Sequence, residues 1–198
     1  MGTTLSSFAD YDSAAIDCTT GLALATEEDT SNIFVTDLTQ ASFTPATSSA
    51  TATWTAPNQL QNLPEFSTFS AGTTGITIAP GSHLGLLEDE FGNNAFGAIE
   101  LPSTSGTGTP AITDWVVGVM PSDPSGFPWS IPLDPHGLTA YVSPNTGKAM
   151  GLLMNRQRTY VAVFDLQALL GAARSGGHTL DPSVDLVASG IVRFIPVQ

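Results

Sequence analysis

The sequence predicts an all-β protein: three four-stranded antiparallel blades of a half or partial β-propeller, with one short helix near 166–174. Three observations predict it. The first is a repeat. Ala14–Leu38 recurs as Ile76–Leu101 at an offset of 62 drifting to 63, and as Ala140–Leu166 at an offset of 126 drifting to 128. Ile16 falls on Ile78 and Val142, Gly21 on Gly147, Asp37 on Glu100 and Asp165, and Leu38 on Leu101 and Leu166. A fixed period marks a repeat architecture. The second is composition: 19 Gly and 14 Pro suit a turn-rich β protein. The third is the grain within each repeat, where short β-branched and aromatic runs alternate with Gly, Pro and Asn turns.

The first repeat sets the pattern. Met1–Tyr11 is a polar lead-in. Ser13–Asp17 reads as strand a, and Cys18-Thr-Thr-Gly21 as a tight turn in which Gly21 supplies a permissive backbone. Leu22–Thr26 is strand b and Ile33–Leu38, rich in β-branched and aromatic residues, is strand c. Thr51–Thr55, centred on Trp54, is the expected strand d.

The second repeat follows in the same order: Gly75–Ile78 as a, Leu84–Glu88 as b, Phe96–Leu101 as c and Asp114–Met120 as d. Its b–c turn holds Gly92 and Asn93, which tolerate positive φ. In the third repeat, Leu138–Val142 is a, Ala149–Leu153 is b and Tyr160–Asp165 is c. Leu166, Leu169, Leu170 and Ala173 then fall at helical spacing, so a short amphipathic helix is expected, stopped by Gly176 or Gly177. Gly190–Val197 closes the repeat as d, with Phe194 placed like Trp54 and Trp115. The whole of 1–198 is one repeat array, with blades at about 12–57, 74–121 and 137–198.

Four antiparallel strands repeated radially are propeller blades. The a–b–c cores resemble those of YVTN/NHL-type propellers, where a Pro/Asp-x-x-Gly turn joins strands a and b and strand c ends in an apolar-Asp-Leu phrase. Asp17–Gly21, Pro80–Leu84, Pro144–Gly147, Asp37-Leu38, Glu100-Leu101 and Asp165-Leu166 carry the likeness. It covers most of the chain and implies a fold rather than a chemistry.

Charge narrows the function classes. The net charge is −13. Residues 1–147 hold 15 acids and no Lys or Arg, whereas residues 148–198 hold three acids and five bases. Such acidity argues against nucleic acid, which demands basic patches, and against anionic membranes. No apolar run approaches the ~18 residues that span a bilayer, so membrane insertion is not expected. Cys18 is the single cysteine, so no intrachain disulfide and no multi-cysteine zinc site can form. Low Lys and abundant Ser, Thr and Gly point to an exported protein, although Met1–Asp10 is too polar for a signal peptide.

Two function readings follow. One is a non-enzymatic propeller module that provides a binding or structural surface. The other is a Ca²⁺-dependent, lactonase-like hydrolase with its site at the channel mouth. In a four-strand meander the b–c turns and d–a loops share a face. That face collects Glu27, Glu28, Glu88, Asp89, Asp10 and Asp134. Gathered carboxylates suit a hard cation that takes six to eight oxygens. A central Ca²⁺ is common in propeller lactonases, where it polarises the substrate carbonyl. In Leu133-Asp-Pro-His-Gly-Leu138, His136 beside Asp134 is the weak catalytic candidate, a general base near the channel mouth. His83 and His178 belong to other places in the repeat. Trp54, Trp115 and Phe194 read as inter-blade packing.

Three blades pose a closure problem, because known propellers close with about four to eight. An open array bares two apolar faces that need a cap or a partner. A second copy, missing blades of the same propeller, or another protein would supply it. Ile16, Leu24, Phe34, Ile78, Leu86, Ile99, Val142, Met150 and Val163 are the expected core.

Overall fold

Each repeat folds into one four-stranded antiparallel sheet, with every strand drawn from that repeat. The computed structural model describes residues 11–27, 32–49, 53–63, 65, 75–89, 95–104, 108–119, 135–155 and 160–196. The first sheet begins with β1 (Tyr11–Asp17), β2 (Leu22–Glu27) and β3 (Asn32–Asp37). A 3-10 turn over Leu38–Gln40 follows, with the Asp37 carboxylate accepting from Thr39 N. Next comes a separate hairpin, β4 (Ser42–Thr44) with β5 (Thr53–Thr55). The fourth strand of the sheet is β6 (Asn58–Asn62), paired along β3.

The expectation for strand d is therefore corrected. Trp54 lies in the hairpin opposite Phe43, and β6 falls beyond residue 57. The outermost strand of a blade is wet, so its sequence, Asn-Gln-Leu-Gln-Asn, carries no apolar alternation. Trp115 stands opposite Ile99 and Phe194 opposite Ala162. The three aromatics thus do not share one strand position.

The second sheet runs β7 (Gly75–Ile78), β8 (Leu84–Glu88), β9 (Ala95–Glu100) and β10 (Asp114–Val119). The third runs β11 (Pro135–Val142), β12 (Ala149–Asn155), β13 (Tyr160–Asp165) and β14 (Val192–Pro196). Helix α1 (Leu166–Leu170) follows β13, capped by the Asp165 carboxylate, which accepts from Ala168 N at 3.1 Å. It stops at Gly171, earlier than the spacing suggests. Ala172 lies in a turn, Ala173 makes an antiparallel bridge to Leu180, and Arg174 N donates to Thr179 O.

The inner strands sit side by side, β1 against β7 and β7 against β11. Sheet two is thus sandwiched, and each sheet has an entry face towards the preceding repeat and an exit face towards the next. At the first junction Leu24 and Val35 on one side meet Ile78, Leu87 and Ile99 on the other. At the second, Leu86 and Phe96 meet Leu153 and Phe164, with α1 closing the edge; the two Phe ring centroids are 4.9 Å apart. Strand β8 is buried along its whole length, whereas β2 alternates between buried and half-buried. Continuous burial marks a strand covered on both faces, alternation one covered on a single face.

This explains the fate of the expected core. Leu24, Ile78, Leu86 and Ile99 are buried at the junctions, and Val163 is buried at the centre of the exit face of sheet three, between Leu152 and Arg193. Ile16 is 53 % exposed, because it lies on the entry face of sheet one, which no described sheet covers. Phe34 shares that face and is half-buried, as is Met150 on the exit face of sheet three. Val142 is 37 % exposed; its cross-strand neighbour Ala149 lines an open cleft described below. On the two end faces, Leu60 is 48 % exposed and Met154 and Ile195 are each 53 % exposed.

The connections from strand c to strand d reach backwards. Ile112, in the connection of repeat two, donates its N–H to Gln61 Oε1 of β6 at 2.8 Å and accepts from Gln61 Nε2 at 3.3 Å. In repeat three, Val117 of β10 donates to His178 O at 2.7 Å and accepts from Leu180 N at 2.9 Å. Residue Thr179 thereby adds a short parallel bridge to the outer edge of sheet two. Gly118 is required there, since a Cβ on it would fall 2.0 Å from Leu180 Cδ1.

Candidate functional site

Two ends of the blade stack carry polar chemistry. At the end with the b–c turns, Glu27 closes β2 and accepts from Asn32 Nδ2 at 2.7 Å. Glu88 closes β8, and Asp89 follows it; both are buried. Glu88 reaches across the inner strand β7. A Cβ at Gly75 would lie 2.4 Å from Glu88 Oε1 and 2.2 Å from Leu138 Cδ2, so glycine makes room for the acid beside β11. Glu28, Asp10 and Asp134 lie outside the described residues, as do Arg156 and Arg158. Among the described residues no group of three or more His, Cys, Asp and Glu could hold a metal ion.

His136 lies within β11 rather than in a loop before it. The strand starts at Pro135, and its register shifts between Pro135 and Leu138, where Gly137 takes a φ of 140°. Glycine absorbs this irregularity, which other residues rarely adopt. The His136 side chain lies outside the description.

The opposite end, with the a–b turns, is better defined. Gly21, His83 and Gly147 occupy matching repeat positions and all take left-handed backbone, with φ of 75°, 61° and 70°. Only His83 has a Cβ there, at a cost on the order of 1–2 kcal/mol. Its ring supplies the compensation. His83 Nδ1 lies 2.6 Å from Oδ2 of Asp17, a buried carboxylate in the preceding blade. Asp17 also accepts from Thr19 N and Thr20 Oγ1, each at 2.9 Å. Burial pushes the Asp17 carboxyl up, but the hydrogen bonds from His83, Thr19 and Thr20 together hold it below the ordinary aspartate value of 3.8.

The sign of the pH effect follows. A depressed folded pKa adds stability that is complete above the unfolded value and lost as pH falls through the lower folded one. Acid melts should therefore show stability declining below about pH 4, and Asp17→Asn should flatten that slope. An unchanged slope in the variant would mean that other carboxylates, Asp37 foremost, govern acid unfolding.

At the next junction the equivalents of Asp17 and His83 are Ala79 and Gly147. The space left forms an open cleft of about 500 Å³, lined among others by Ser82, Leu84, Lys148, Asp165 and Gln167. The Lys148 ammonium pairs with Asp165 Oδ2 at its wall. Ser82 Oγ donates to Ala79 O and accepts from Leu84 N, so it has no base poised to activate it. The cation and the carboxylate at the cleft wall are thus engaged with each other. Sequence reading missed the cleft. Its signal is the loss of Asp17 and His83 from the matching positions.

The third histidine lies at the outer edge of sheet two. His178 stacks on Trp115 with centroids 3.7 Å apart, and Trp115 Nε1 donates to Glu65 Oε2 at 2.9 Å. Trp115 packs against the first junction's core, in keeping with a packing role. His83 and His178 therefore serve different junctions. Cys18 is exposed in the first a–b turn. No described helix is long and apolar enough to cross a membrane.

No protein-family model matches the sequence. No curated protein matches it either. Among solved structures, the chain is similar to a hemopexin fold protein from cow pea, at 13 % identity and a TM-score of 0.35, over 80 % of this chain and 63 % of that one. It is also similar to a plant albumin from Cicer arietinum showing hemagglutination, at 12 % identity, a TM-score of 0.36, and coverage of 80 % and 64 %. A plant lectin with two metal binding sites, from the same source, gives 13 % identity, a TM-score of 0.33, and coverage of 81 % and 64 %. The chain thus spans less than two thirds of each.

Proposed function

We propose that the chain is a non-enzymatic propeller module whose blade faces are binding surfaces, with repeats of the YVTN/NHL type. The single observation that carries the reading is one-sided burial: sheet two is covered on both faces, while the entry face of sheet one and the exit face of sheet three present Ile16, Leu60, Met154 and Ile195 to solvent. Apolar patches beyond a few hundred Å² mark interaction sites on soluble proteins. The matching a–b turns and the Asp or Glu at the end of each strand c support the repeat type.

A hydrophobic dye tests the reading. At nanomolar chain concentration, with near-ultraviolet dichroism confirming the fold, dye fluorescence should rise. The double variant Ile16→Glu/Met154→Glu should remove most of the gain. Fluorescence unchanged by the double variant would sink it.

The burial of Glu88 and Asp89 beside β7 favours a second reading, the Ca²⁺-dependent lactonase-like hydrolase. Glu27, Glu88, Asp89, Glu28, Asp10 and Asp134 would supply the ligands, and His136 with Asp134 the base. A cation that binds only the folded state raises Tm, by about 2.7 kcal/mol of stability at a hundredfold excess over Kd. Millimolar Ca²⁺ should then shift the melt, and a flat titration would end this reading.

A further inference from the structure

We propose that the uncovered faces are two halves of one interface, that a second copy of this chain is their occupant, and that the β4–β5 hairpin is the clasp between copies. The proposal rests on the reading of those faces as binding surfaces and names the partner.

The two internal junctions follow one rule. On strand b, the exit face presents large residues, Leu22 and Leu24 in sheet one and Leu84 and Leu86 in sheet two. The entry face that receives them opens with small ones, Gly85 in sheet two and Ala149 and Gly151 in sheet three, ahead of Leu87 and Leu153. The fit is close. A Cβ on Gly151 would lie 3.0 Å from Leu86 Cδ2 of the sheet before it.

The end faces obey the same rule. The exit face of sheet three carries Met150 and Leu152, the counterparts of Leu24 and Thr26. The entry face of sheet one carries Ala23 and Ala25, the counterparts of Ala149 and Gly151. Large residues at one end and small residues at the other form a third junction of the same hand. Within one chain the two faces do not cover each other, because Ile16 and Met154 are both about half exposed.

The connections between strands c and d repeat the pattern. Those of repeats two and three each hold the outer strand of the blade before them, through Ile112 on β6 and Thr179 on β10. The same connection in repeat one is the hairpin. Ser42–Thr44 are all exposed, Phe43 by 58 %, and no described sheet lies on the entry side of sheet one for it to hold. The outer strand that awaits a clasp is β14, with Arg193 and Ile195 exposed.

Charge favours a second copy as the partner. Residues 1–147 carry 15 acids and no Lys or Arg, while residues 148–198 carry five bases against three acids. Setting repeat three of one copy on repeat one of the other joins the basic end to the acidic one. Two copies then satisfy both end faces of both chains, in a six-bladed ring with two-fold symmetry.

Light scattering at micromolar concentration should give twice the chain mass. Ile16→Glu on one face and Met154→Glu on the other should each give monomers that melt cooperatively; Leu60→Glu and Ile195→Glu replace them if either fails to fold. Mixing the two single variants should restore a dimer, because one of its two junctions is then free of substitution. Phe43→Asp should weaken association about tenfold or more, as loss of one anchor of about 1.4 kcal/mol does.

A wild-type monomer would overturn the proposal. So would dissociation by Ile16→Glu but not by Met154→Glu, which means like faces pair. Mixed variants that stay monomeric, or wild type that grows into longer polymers, would defeat the closed ring. A Phe43→Asp chain that dimerises as wild type would remove the clasp. A monomer that still binds dye on both faces would leave the binding-surface reading standing and discard only the second copy.

Discussion

Replacing Phe96 by Ala is expected to lower stability by about 3–5 kcal/mol, and Tm by on the order of 10 °C in a domain of this size. Phe96 is fully buried, in a sheet covered on both sides, and its ring packs against Phe164 at 4.9 Å between centroids. Truncation removes apolar area and leaves a cavity between two rigid sheets and α1, which have little freedom to collapse. Chemical denaturation followed by tryptophan fluorescence measures the loss. A change below about 1 kcal/mol would show that the second junction is loosely packed, contrary to the burial of its neighbours Leu86, Ala98 and Val116.

The second large effect is expected from Asp17→Ala, at about 3 kcal/mol, the scale on which breaking a buried pair acts. The carboxylate receives Thr19 N, Thr20 Oγ1 and His83 Nδ1, and its loss strands all of them at the first junction. His83→Gly should cost less. It deletes one partner, but it also removes a Cβ from a left-handed position that repeats one and three give to glycine. Urea titrations of the two variants decide the order. If His83→Gly proves the costlier, the ring stabilises the junction through more than its bond to Asp17.

How much of this was legible beforehand differs by element. The a–b–c cores are readable because burial imposes alternation and tight turns impose glycine. Strands β8 and β13 and the turn at Gly147 fall where the repeat puts them. Strand β6 was not readable. Leu60 is its single apolar residue, and the aromatic Thr-Trp-Thr run just before it looks more like a strand. Core membership was readable where both faces are covered, as at Ile78, Leu86 and Ile99. It failed at Ile16, because a repeat alignment cannot tell a middle blade from an end blade.

The candidate site was legible only in outline. Acids at the b–c end are a pattern of composition, and the buried pair Glu88 and Asp89 is the part the structure describes most fully. The polar junctions at the a–b end depend on a break in the repeat. His83 stands where glycine is due, and Asp17 has no counterpart at Ala79. Such breaks carry information because the repeat supplies the expectation against which they stand out.

The backward reach of the c–d connections also sets a timetable for the nascent chain. When β10 leaves the ribosome its outer edge is bare, and an unpaired edge is a template for wrong pairing. Thr179, which covers it at Val117, comes 62 residues later. At ~5–20 residues per second the edge waits roughly 3–12 s. Gln61 waits for Ile112 over 51 residues in the same way. Each blade is thus sealed by the synthesis of the next, and a pause in translation between Val119 and His178 falls in the interval when the second sheet is most open to misassembly.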